Sequence, residues 1–72
     1  MEAYKKETRK VIRRFLRYET ALPQCIAALD AALADFVPRM TAKDLPQLRA
    51  FMLANNETVM KEMERRGPSR LD

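Results

Sequence analysis

Five basic residues, Lys6, Arg9, Lys10, Arg13 and Arg17, recur at helical spacing within the stretch KKETRKVIRRFLRY, Lys5 to Tyr18. At about 100° per residue they fall on one face of a helix. A row of cations so placed can bind anions: nucleic-acid phosphates, an acidic partner or an anionic membrane surface. The plainer alternative is a solvated face that keeps a small apolar bundle from aggregating. Tyr4, Phe15 and Tyr18 lie on the opposite, apolar side of the same helix. They are therefore not displayed for base stacking, so any nucleic-acid binding would run through phosphates with little sequence preference, and it is not the favoured partner.

Other chemistry is thinly provided for. The chain has no histidine, one cysteine and one glycine. It lacks the usual parts for nucleophilic catalysis, for histidine- or cysteine-rich metal sites and for cradling phosphate in a glycine-rich loop. Its carboxylates are mostly interleaved with Lys and Arg, as on solvated helix surfaces. The expectation is a protein that is not an enzyme, with no catalytic residue, no metal and no cofactor.

Three smaller features could carry a role. Cys25 would be activated if a helix began at Pro23, because the dipole of the first turn lowers a thiol pKa; otherwise it is a small buried hydrophobe. Asn55 falls between Phe51 and Val59 on an apolar stripe, where it either fixes the register of an association seam or sits at a solvated boundary. Met52, Met60 and Met63, with Met40 nearby, could form a pliable surface for a partner or an apolar ligand, or fill the core, and Met60 lies nearest the stripe's edge.

These residues must be positioned by helices. With one Gly, four Pro and abundant Ala, Leu, Arg, Lys, Glu and Met, the composition favours helices separated by hard stops. Tyr4, Thr8, Val11, Phe15, Tyr18 and Leu22 form one stripe, widened by Ile12 and Leu16, and predict a helix over residues 3–20. The segment LPQCIAALDAALADFVPRM is apolar nearly all round, with Asp30 and Asp35 its only charges before Val37. A helix over 23–37 with such a surface wants neighbours on several sides and is expected to be central. Pro23 either starts that helix, with Thr20 as a cap, or kinks one long helix; two helices are preferred. Asp44 and Gln47 have the form of a capping box before a third helix over 44–66, with Thr41 as a second candidate cap, and Gly67-Pro68 ends it behind Arg65 and Arg66.

The predicted fold is all-α, a small antiparallel bundle of three helices, the alternative being a two-helix hairpin with its first helix kinked at Pro23. It occupies 1–66 as one domain, with 67–72 a short frayed tail. A chain of 72 residues holds one small core, which rarely supplies more than roughly 3–5 kcal/mol, and self-association is the common remedy where disulfides and metals are missing. No apolar run is long enough for a membrane span, and a single cysteine suits a reducing compartment, so the expected location is cytoplasmic.

The favoured function is that of a helical protein-protein interaction or oligomerisation module. Its partner would be a second copy, most simply in a dimer, or another helical protein. Candidate interface residues are Tyr4, Val11, Phe15 and Tyr18 on the first helix, and Phe51, Met52, Asn55, Val59 and Met63 on the third. The alternative is a regulator that binds nucleic acid or another anion through Lys6, Arg9, Lys10, Arg13 and Arg17.

Overall fold

The computed structural model describes residues 1–67. Three helices follow in order, α1 (Glu2–Leu16), α2 (Leu22–Phe36) and α3 (Leu45–Arg66), with single 3-10 turns at Val37–Arg39 and Ala42–Asp44 between the last two. The expectation of a frayed tail falls, apart from Gly67, outside the described residues. No helix among the described residues is long and apolar enough to cross a membrane.

The core divides into two clusters at opposite ends of the bundle. One joins Ile12 and Phe15 of α1 to Cys25 of α2 and Val59 of α3. The other joins Tyr4, Ala32 and Leu48, with Phe36 and Phe51 packed against it. The end of α1 thus meets the start of α2 and the end of α3, so α2 runs antiparallel to its two neighbours. The rings of Phe36 and Phe51 stand edge-on to Tyr4 at 5.9 and 5.7 Å, the arrangement aromatic quadrupoles favour. Burial raises the Tyr4 hydroxyl pKa above its ordinary value.

α1, not α2, is the central helix. It packs on both others, whereas the described backbones of α2 and α3 make no close approach to each other. α1 buries Tyr4, Thr8, Ile12 and Phe15 in one row, and its bulky aromatics at either end hold the outer helices apart. α2 buries only Cys25 and Ala32, because its small alanines let it lie close against α1 on one side alone. Ile12 rather than Val11 takes the middle of the buried row. Thr8 is fully buried, and its hydroxyl donates to the carbonyls of Tyr4 and Lys5, both at 3.0 Å, so a polar side chain in the core leaves no unpaired group.

α1 stops four residues before the expected boundary. The Glu19 amide donates to the Arg14 carbonyl (2.9 Å) and the Tyr18 amide to the Phe15 carbonyl (3.0 Å), which is the Schellman closure. Tyr18 takes the left-handed position at φ 64° that glycine usually fills. It leaves the stripe and stands 63% exposed. Chain reversal over 17–21 makes two helices of what could have been one kinked helix. α2 begins at an Ala21 cap, whose amide donates to the Gln24 side chain at 2.9 Å. Thr20 does not cap; its hydroxyl is buried with no hydrogen-bond partner among the described residues.

The capping box before α3 sits one turn earlier than expected. The Thr41 amide donates to the Asp44 carboxylate at 3.0 Å, so Asp44 closes the 3-10 turn instead of capping with Gln47. Gly67 ends α3 at φ 92°, its amide reaching the Glu64 and Met63 carbonyls.

Candidate functional site

Because α1 separates its neighbours, α2 and α3 flank an open groove of about 730 Å³ floored in part by Tyr4. The α2 wall carries Leu22, Ile26, Leu29 and Leu33; the α3 wall carries Leu45, Met52, Leu53, Met60 and Met63. Ile26, Leu45, Met52, Leu53 and Met60 are 40–64% exposed. A continuous apolar surface of this kind on so small a protein exceeds the scatter of single exposed side chains. Polar groups also converge there: Asp30 on one wall, and Arg49, Asn55 and Asn56 on the other. Asp30 and Arg49 are exposed and enter no ion pair among the described residues.

The candidate interface residues divide between the closed core and this groove. Tyr4, Phe15 and Val59 are buried in the bundle, and Val11, Phe51 and Met63 are half-buried against its core clusters. Met52 and half-buried Asn55 line the groove. Tyr18 belongs to a different structure at the end of α3. Met60 is exposed, as its place at the stripe's edge implied, but so is Met52. Ile26, Leu29 and Leu33 share one stripe of α2, and a helix apolar all round with only one close neighbour must leave such a face uncovered.

On the outer side of α1, Lys6, Arg9, Lys10, Arg13 and Arg17 are all exposed and make no ion pair among the described residues. The two remaining cations of the stretch differ. Lys5 lies 3.9 Å from Glu2 and over the Phe51 ring, and Arg14 lies 3.6 Å from Glu19. The five therefore form one row of unneutralised charge on the face away from the core.

A third constellation ties the end of α3 to the end of α1. The carboxylate of Glu62 accepts from Arg65 at 2.6 Å and from Arg66 at 2.7 Å. Arg66 then donates to the Phe15 carbonyl at 2.8 Å, and its guanidinium stands 4.3 Å from the Phe15 ring centre and 4.2 Å from that of Tyr18. Arg65 donates to the Tyr18 hydroxyl. Hydrogen bonds from Arg65 and then Arg66 hold the Glu62 carboxyl at about 2, against an ordinary 4.5. Every partner in this clasp is satisfied within the chain, and its role is to close the bundle.

Cys25 is wholly buried and burial pushes its thiol pKa up, the reverse of what a reactive thiolate requires. It packs between Ile12, Phe15 and Val59 as a small apolar side chain. Among the described residues no three His, Cys, Asp or Glu side chains gather as a metal site would need. The sequence matches no family model and no curated protein, and no solved structure matches the fold.

Proposed function

We propose that this protein is a non-enzymatic helical interaction module whose working surface is the α2/α3 groove, which accepts the apolar face of a helix from a second copy or from another helical protein. The observation that carries this reading is the position of α1 between its neighbours, which leaves apolar walls on α2 and α3 with nothing over them. Covering such surface is the main driving force of helix association in water. The reading extends to the cytoplasm, where a single unpaired thiol stays reduced.

Sedimentation equilibrium over a concentration series tests it. Ile26 and Leu53 are 47% and 64% exposed, so Ile26→Lys and Leu53→Lys should leave the helical circular dichroism unchanged while abolishing association. Association undiminished in both variants would remove the groove from consideration.

The five unpaired cations of α1 favour a second reading, an anion-binding face. If about five phosphates are contacted, duplex affinity should fall roughly 500-fold between about 50 and 200 mM salt. Fluorescence anisotropy reads this directly, and absence of binding at low salt would leave the row as a solvated back.

A further inference from the structure

Resting on the groove reading, we infer that the occupant is a second copy of this chain, seated groove to groove about a two-fold axis that runs along the helices. In that arrangement α2 of each copy lies antiparallel against α3 of the other, and Asp30 of each pairs with Arg49 of the other.

The register follows from the core. Ala32 and Leu48 share a cluster with Tyr4 and so lie at one level of the bundle. Asp30 comes two residues before Ala32, and Arg49 comes one after Leu48. Because α2 and α3 run in opposite directions, both steps lead the same way along the bundle. At 1.5 Å per residue the two stand about 1.5 Å apart along the bundle by this cluster and about 7.5 Å apart counted from Cys25 and Val59 of the other, a span that the long Arg49 side chain covers. A two-fold axis parallel to the helices carries each wall onto the opposite one without shifting its level. It therefore sets each Asp30 against an Arg49, twice over, with no like charges opposed. An axis across the helices would lay α2 on α2 and bring the two Asp30 carboxylates toward each other.

The walls around this pair are apolar. Ile26, Leu45, Met52, Leu53 and Met60 stand exposed along the two walls. Leu22, Leu29, Leu33 and Met63 are half-buried in the same walls and make the apolar surface continuous. The basic row of α1 stays on the outside, where mutual repulsion between the copies is least.

The experiment is a charge exchange followed by sedimentation equilibrium on the full chain. Asp30→Arg alone opposes two pairs of cations, and Arg49→Asp alone opposes two pairs of anions. Each should weaken the dimer by roughly 100-fold, since like charges across an interface are costly. An equimolar mixture of the two variants should restore a dimer to within about 3-fold of wild type, because each mixed contact is then an opposite-charge pair. A wild-type monomer, single variants that dimerise as wild type does, or a mixture that restores nothing would each overturn the inference. The groove reading is separately exposed by anilinonaphthalene sulfonate fluorescence. Dye binding that Ile26→Lys suppresses keeps the groove as an apolar acceptor even if the second copy is excluded, and dye binding unaffected by it removes both.

Discussion

Replacing Arg66 by methionine isolates the contact that joins the two chain-distant ends of the bundle. The guanidinium donates to the Phe15 carbonyl, which also accepts the Tyr18 amide, and stacks on both Phe15 and Tyr18. Its side chain is only 15% exposed, so solvent replaces these contacts poorly. Methionine keeps the apolar stem. Beyond a hydrogen bond to Glu62, a partner that Arg65→Met also loses, what is lost is the charged hydrogen bond to the Phe15 carbonyl, about 1.5–3 kcal/mol, and cation–π contact of about 0.5–1 kcal/mol. With part of the carbonyl's loss recovered by water, the net cost is about 2–3 kcal/mol, a large share of what a core of this size supplies. For a domain of this length the midpoint should fall on the order of 10–20 °C. The assay is thermal and urea unfolding followed by far-ultraviolet circular dichroism, at matched protein concentration because self-association would raise apparent stability. Arg65→Met is the comparison, since Arg65 shares Glu62 but is 61% exposed and does not reach the Phe15 carbonyl. If Arg66→Met unfolds no earlier than Arg65→Met, the clasp does not close the bundle.

Four further outcomes are expected. Glu62 is held at about 2 in the folded chain against 4.5 ordinarily; its contribution is complete above pH 5 and is lost as pH falls from 4.5 toward 2, because the unfolded chain takes up a proton that the folded one refuses. Acid titrations of wild type and Glu62→Gln should accordingly converge over that window, and parallel curves would count against the clasp. Tyr18 holds a left-handed backbone, so Tyr18→Gly should be about 1 kcal/mol more stable in urea than Tyr18→Ala, both having lost the ring; equal midpoints would contradict the strained turn. Cys25 should resist a thiol-specific disulfide reagent in the folded chain and react fully in urea; fast native labelling would contradict its burial. Asn55→Leu should tighten self-association, because the half-buried amide in the groove makes no hydrogen bond among the described residues, and an unchanged sedimentation profile would take Asn55 out of the contact surface.

The helices were legible because their signals are local. Apolar spacing, prolines at 23, 38 and 46 and the Gly67 stop act within a turn or two of chain, and three helices in nearly the expected places follow from them. The boundary of α1 was not legible. Its periodicity runs on to Leu22, and the reversal is made by Tyr18, a residue with no turn signature, whose left-handed backbone is compensated by Arg65 and Arg66, 47 and 48 positions away. Arg65 and Arg66 could be read locally only as cations near a helix dipole. The basic row of α1 was visible outright, since burial of the apolar face opposite it was enough to orient it.

The amino-acid sequence by itself determined that the chain is helical, that it carries more apolar surface than three short helices can hide, and that its positive charge is concentrated on one side. These are sums and periodicities, which do not depend on which helix meets which. The tertiary structure decided where the excess is left. Apolarity on all sides suggested that α2 would be central, yet the bulk of Tyr4 and Phe15 put α1 there. Small alanines let α2 pack tightly on one neighbour, leaving Ile26 exposed and Leu29 and Leu33 half-buried along the open groove. That choice depends on side-chain volume meeting side-chain volume across the bundle, a relation between residues tens of positions apart that no local pattern contains.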